Sequence, residues 1–300
     1  MSRTPHKLAN LHNTPIPPAP EVSLAVVTHC PSGDAWYAQH PDVVKMCLDS
    51  MLAGVDGIKY ELLIWDDSST PEFRQMLKSY SPDVYIEGVN TGAVNARRAL
   101  GYIARAPILC LTDDDILFSH DWLRQQLELL TTYPNVGLVS GCPHHVAFDI
   151  RKAREETIAW ALNEPECRVW NGTILTPEQW EDDFCISINR LPGHYEDRGD
   201  ISLEDWLLEY KGVKAWAHGH HMQFLAYAET IRPYLIPNGF MLQYDYINSR
   251  VADDGYLELT TFDRTCHHIG NVIDETVLRA QAVMSHSHAP PEFDLPKWTK

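Results

Sequence analysis

Between residues 22 and 140 the chain alternates short apolar runs with stretches of helical period, and the links between them are only a few residues long. Apolar runs at 22–27, 60–65, 84–86, 107–111 and 136–140 have strand length and little polar alternation, as expected of strands buried on both faces. Between the first two, apolar side chains at 43, 44, 47, 48, 51 and 52 mark one face of a helix. Residues 71–80 open on Pro71, which suits a first helical turn. Residues 91–105 and 122–130 supply two more helices. Strands and helices in this order build a mostly parallel sheet with helices on its faces, joined by right-handed crossovers. The expected class is α/β. Ligands of such open sheets bind beyond the carboxyl ends of the strands. The residues that follow each strand therefore carry the functional reading.

The run at 107–111 leads into Thr112-Asp113-Asp114-Asp115. Adjacent carboxylates delivered by a buried strand suit a hard divalent cation, Mg2+ or Mn2+, which keeps coordination positions for phosphate oxygens. The plain alternative is an acidic turn that caps a helix starting near Ser119. The first run ends in Thr28-His29 and the second in Asp66-Asp67-Ser68-Ser69. Asp66 and Asp67 are able to accept hydrogen bonds from a base N–H or from ribose hydroxyls. They are equally able to form a turn with the two serines.

Composition narrows the function classes. With 41 acidic and 24 basic residues, the net charge of -17 argues against binding along a nucleic-acid backbone or an anionic membrane. Seven cysteines are odd in number, scattered and without a CxxC pair, so thiols in a cytoplasmic compartment are expected. No run approaches about 18 apolar residues. Residues 1–20 end in a proline-rich stretch and read as an arm. Residues 141–235 lose the strand–helix rhythm and are rich in tryptophan and histidine. A helix is expected at 240–253 and a strand at 256–261, and residues 272–300 read as a polar tail. His218-Gly219-His220-His221 lacks a fourth zinc ligand at familiar spacing. His144-His145 is treated likewise.

Four elements together resemble family 2 glycosyltransferases of the GT-A fold, over residues 22–140 and 238–271. They are the strand ending in Thr28-His29, Asp66-Asp67-Ser68-Ser69, Asn90-Thr91-Gly92-Ala93-Val94-Asn95-Ala96-Arg97, and the Asp113-x-Asp115 pair. Arg98 stands where the family usually has Asn. The resemblance implies a GT-A domain over 21–271, with a nucleotide-sugar-binding half at 21–140 and an acceptor half at 141–271. It implies metal-dependent, inverting transfer of a hexosyl type from a nucleotide sugar, UDP-linked, to an unidentified hydroxyl of a glycan, protein, lipid-linked or small-molecule acceptor.

Thr28, Asp66, Asp67, Asn95, Arg97, Asp113 and Asp114 would bind the donor. Asp115, Asp113 and His268 would hold Mn2+ or Mg2+, with His267 as the alternate histidine. Inverting transfer needs a carboxylate that takes the acceptor proton. Asp245, followed by Arg250 and Gly255, fills that role by resemblance, although Gln243 and Tyr244 stand where an acidic partner is usual. Glu204 and Asp205 are alternates, read as a helix start. Two other classes stay open, a sugar nucleotidyltransferase and a non-catalytic sugar-nucleotide or glycan-binding module. The first needs a basic loop after strand one, and Thr28-His29-Cys30-Pro31-Ser32-Gly33 has no basic residue of the Lys or Arg type.

Overall fold

Seven consecutive buried residues, Val22–Thr28, form β1, the strand around which the first half of the protein is laid out. In the computed structural model the described residues are 19–143, 146–147, 151–172, 201–202, 204–235 and 243–284. After β1 come α1 (His40–Ala53), β2 (Tyr60–Asp66), α2 (Pro71–Ser79), β3 (Val84–Glu87), α3 (Ala93–Ile103) and β4 (Ile108–Thr112). Then follow β5 (Ile116–Phe118), α4 (Trp122–Thr132), β6 (Val136–Ser140), β7 (Val146–Ala147), α5 (Arg151–Asn163) and β8 (Cys167–Gly172). The remainder comprises β9 (Ile201–Ser202), β10 (Asp205–Tyr210), β11 (Val213–Trp216), β12 (Gln223–Tyr227), the single turn α6 (Ala228–Ile231), α7 (Gln243–Asp253), β13 (Leu257–Thr261), β14 (Cys266–His268) and α8 (Glu275–Met284).

The main sheet has ten strands in the order β3-β2-β1-β4-β12-β6-β13-β11-β10-β8. β1 is parallel to β2 and β4, β2 to β3, and β6 to β13. β12 is antiparallel to both β4 and β6. β4 and β6 therefore run the same way, and the carboxyl ends of β1, β2, β3, β4, β6 and β13 share one edge. The parallel set expected of residues 22–140 is present, and the middle of the chain adds antiparallel strands to it.

Two apolar layers hold the helices to the sheet. Val44, Leu48, Met51, Phe73, Leu77 and Leu123 of α1, α2 and α4 pack with Leu24, Val26 and Cys110. Ala96 and Leu100 of α3 and Ile247 and Val251 of α7 pack with Ala25, Leu63, Leu111 and Leu138 on the alternate strand positions. Each fully buried leucine in these layers contributes roughly 2 kcal/mol.

Residues 204–216 correct one expectation. Glu204 and Asp205 do not open a helix, because Asp205 is the first residue of a strand. Lys211 and Gly212 join β10 to β11 with φ of 50 and 81. A two-residue turn with both φ positive matches the twist of a hairpin. Asp205 through Tyr210 thus pairs with β8, and Leu207 through Tyr210 also with β11. Inside the expected tail, α8 buries Val277 and Met284 against Val43 of α1 and Leu117 of β5. No helix among the described residues is long and apolar enough to cross a membrane.

Candidate active site

The carboxyl edge of the parallel strands gathers most of the expected donor-side residues. Thr28 and Asp66 are paired positions at the ends of β1 and β2. Asp66 is fully buried. It accepts from the Ser69 N–H at 3.0 Å, from Arg74 Nε at 2.7 Å and from the Tyr85 hydroxyl at 3.2 Å. Its oxygens are thus engaged by the protein, and Ser68, at φ 77, completes the turn. The hydroxyl of Thr28 is buried and has no partner among the described residues.

Asp67 organises the next loop. It accepts from the N–H groups of Thr91 at 2.8 Å and Gly92 at 2.7 Å, from the Thr91 hydroxyl at 3.1 Å and from Trp65 Nε1 at 3.3 Å. Burial favours the neutral acid, but the Thr91 and Gly92 N–H groups outweigh it and lower the pKa. Asp67 therefore fixes the start of α3, where Gly92, at φ 84, is the N-cap. Asn95, in the first turn of α3, is exposed and donates to the Thr91 carbonyl at 2.9 Å. Arg97, one turn in, is buried and its guanidinium pairs with Asp113. Arg98 instead lies over the Tyr102 ring at 5.5 Å.

The three aspartates point to three different partners. Asp113 meets Arg97, and its N–H donates to the Met222 carbonyl at 2.8 Å. Asp114 accepts from His40 Nε2 at 2.9 Å, while His40 Nδ1 lies 2.8 Å from Oδ1 of Asn271. Burial lowers the pKa of His40, but Asp114, Asp115 and Asn271 outweigh that and raise it. Asp115 lies 2.8 Å from His268 Nε2 through Oδ2. β14 brings them together by pairing antiparallel with β5, and the Ile269 N–H donates to the Asp115 carbonyl at 2.9 Å. Burial would raise the Asp115 pKa, but His268 and His40 keep it low. Oδ1 of Asp115 is buried with no partner among the described residues.

His267 faces elsewhere, with Nδ1 2.8 Å from Arg264 and its pKa driven down by burial and that cation. His218 lies 3.2 Å from the Thr260 hydroxyl, and His220 stacks on His221. Among the described residues no group of three or more His, Cys, Asp or Glu is set to hold a metal by itself. His144-His145 lies outside the described residues.

The two base candidates separate by topology. α7 runs back along β13 after a short link at residues 254–256, and its 11 residues span about 16 Å. Five-residue β13 spans about the same length. The first turn of α7, with Asp245, is thereby at the carboxyl edge. The side chain of Asp245 lies outside the described residues. Asp205 is at the opposite level. Register carries Leu207 to Trp216 and Trp216 to Thr260, so Asp205 stands level with Glu258 near the start of β13. Arg154 donates to the Glu204 carbonyl at 3.0 Å there. Sequence reasoning missed His40 and Asn271, which are 231 positions apart. No local pattern marks either.

The sequence model for glycosyl transferase family 2 matches residues 37–191, just over half of the chain. The chain belongs to glycosyl transferase family 2. As a family 2 glycosyltransferase it is a transferase acting from nucleotide-sugar donors. No curated protein matches it significantly. Among solved structures it is similar to the mannosyltransferase PcManGT from Pyrobaculum calidifontis, in complex with GDP-Man and Mn2+, at 17% identity and a TM-score of 0.49. That likeness covers 91% of this chain and 67% of the other. TarS 1-349 of S. aureus is similar at 11% identity and a TM-score of 0.45, covering 82% of this chain and 59% of TarS.

Proposed function

We propose that this family 2 glycosyltransferase is metal-dependent and inverting, and moves a sugar from a UDP-sugar to a hydroxyl acceptor. The observation that carries the metal reading is the buried, unpartnered Oδ1 of Asp115 beside His268. An ionised oxygen without a donor in a buried place is costly unless a cation meets it. An aspartate oxygen and an imidazole suit Mn2+ or Mg2+, with water and diphosphate oxygens completing the set. Asp115 and His268 would hold the ion, and Asp113 would join them on leaving Arg97. Bound there, the ion would supply Lewis-acid stabilisation of the departing nucleoside diphosphate.

The rest falls to the chain's own residues. The loop fixed by Asp67 and the hydroxyl of Thr28 would border the nucleoside, with Asp66 holding the turn between them. Asn95 and Arg97, in the first turns of α3, would face the diphosphate, and Asp114 would keep its neighbours in place through His40. Uracil is the base that the family resemblance implies, in a UDP-linked donor. Asp245 would take the acceptor proton, supported by its place in the first turn of α7 at the carboxyl edge. Residues 21–140 serve the donor and 141–271 the acceptor, with 1–20 and 272–300 flanking them. Cys30, Cys47, Cys110 and Cys266 are buried free thiols, which fits a reducing, cytoplasmic setting. The test is Asp245→Asn: donor binding by calorimetry should persist while transfer to acceptor is lost. Retained transfer would remove Asp245 from this role.

A further inference from the structure

Glu258 lies within β13, fully buried, and the transfer reaction makes no use of it. Its Oε2 accepts from Nδ2 of Asn248 at 2.5 Å. Its Oε1 has no partner among the described residues, and neither has Oδ1 of the same Asn248. Both orphans are acceptors while the carboxyl is ionised. A proton on Oε1 would turn that orphan into a donor, and the orphaned Asn248 Oδ1 is an acceptor on the amide already bonded to Oε2. Acid and amide would then form a neutral pair, which a buried site favours over an unpaired charge. The site is close-packed: a Cβ on Gly219 would lie 3.1 Å from Oε2. The backbone is held as well, since the Glu258 N–H donates to the Thr157 hydroxyl of α5 at 3.1 Å.

We propose that Glu258 is a neutral acid that clamps α7 to β13 through Asn248 and so acts as a positioning residue for Asp245, one turn earlier on that helix. The functional part of this proposal rests on the reading of Asp245 as base. Burial pushes the carboxyl up to about 8, opposed only by the Asn248 bond. Titratable groups on the elements around it include Asp205 and Glu209 of β10, Lys214 of β11, His218 after it, Arg151, Lys152, Arg154, Glu155 and Glu156 of α5, and Asp245, Arg250 and Asp253 of α7. Arg250 and Asp253 pair with each other at 3.8 Å. The shift comes from burial, with the Asn248 bond acting against it.

The sign follows from proton counting. The folded pKa lies above the unfolded one, so the folded state holds the extra proton between about pH 4.5 and 8. Stability then falls as pH rises through that window and levels off above it. Glu258→Gln keeps an oxygen acceptor and supplies a permanent N–H donor.

The experiment compares the melting temperature of the wild type and Glu258→Gln between roughly pH 5 and 9. The two should agree at the acid end, and the variant should melt several degrees higher at the alkaline end. The wild-type kcat should decline on the alkaline side as Glu258 ionises, and that of the variant should not, with the donor KM unchanged in both. A variant less stable than wild type at pH 8 overturns the proposal. Infrared difference spectroscopy on the wild type keeps it testable if the variant does not fold. A protonated-carboxyl stretch at neutral pH supports the clamp, and absence of one overturns it. If the stability pattern appears while Asp245→Asn retains transfer, the clamp stands and the base assignment falls.

Discussion

Nε2 of His268 lies 2.8 Å from Oδ2 of Asp115, across a ladder in which residues 266–268 pair with 116–118. The contact joins two segments 153 positions apart, and the second Asp115 oxygen is buried with no partner among the described residues. Asp115→Asn removes the ionised ligand at almost unchanged volume. Transfer should fall by about 10²–10³-fold or more at saturating donor. Mn2+ binding, read by paramagnetic resonance, should weaken in parallel, and His268→Ala should weaken it less. Wild-type Mn2+ affinity in Asp115→Asn would show that the ion binds elsewhere.

Gly88 offers a second test, on the donor loop. A Cβ there would lie 2.5 Å from Oδ1 of Asp67 and 2.5 Å from Nε1 of Trp65. Gly88→Ala should push Asp67 off the Thr91 and Gly92 N–H groups, at a cost of about 1–3 kcal/mol. Nucleotide affinity should drop about tenfold or more with the fold intact by circular dichroism. Unchanged affinity would mean that this loop does not border the nucleotide.

Much of this was legible because parallel strands advertise themselves. Their buried runs are short and apolar, and each ends on one edge of the sheet, so the placing of Asp66, Asp67, Asp113 and Asp115 at that edge follows from local pattern. For Asp66 and Asp67 the sequence leaves two readings open, ligand acceptor or turn former, and in the fold their oxygens accept from Ser69, Arg74, Tyr85, Thr91 and Gly92. Only tertiary pairing sets which acceptors stay free. The Glu204-Asp205 error has a local cause. An acidic pair before Trp-Leu-Leu looks like a helix start, and the hairpin signal, Lys211-Gly212, comes after the strand. The antiparallel insertion of β12 between β4 and β6 has no local signature, since strand order is set by packing of the whole sheet.

A third prediction concerns acid stability, away from the site. Glu61 is buried on β2 and accepts from the Ser23 hydroxyl at 2.5 Å and from the Arg105 N–H and Nε at 2.6 Å each. Burial raises its pKa, but Ser23 and Arg105 outweigh it and the net shift is downward. A carboxyl with a lowered folded pKa stabilises the fold above its unfolded pKa, and that contribution is lost as pH falls through the folded value. Glu61→Gln should cost about 1–2 kcal/mol at neutral pH, a modest figure because Arg105 is half exposed. The difference from wild type in urea unfolding should shrink below about pH 4. A difference independent of pH would show that Glu61 contributes by packing alone.

The central claim, a cation site that binds a nucleoside diphosphate, is tested most directly by thermal shift with UDP, GDP, CDP and dTDP, each with and without Mn2+. A ligand that binds only the folded state raises the apparent melting temperature with its concentration over Kd. UDP should give the largest shift, only with Mn2+, and the shift should vanish in Asp115→Asn. A nucleotide shift that is the same without Mn2+ and survives Asp115→Asn would contradict the account.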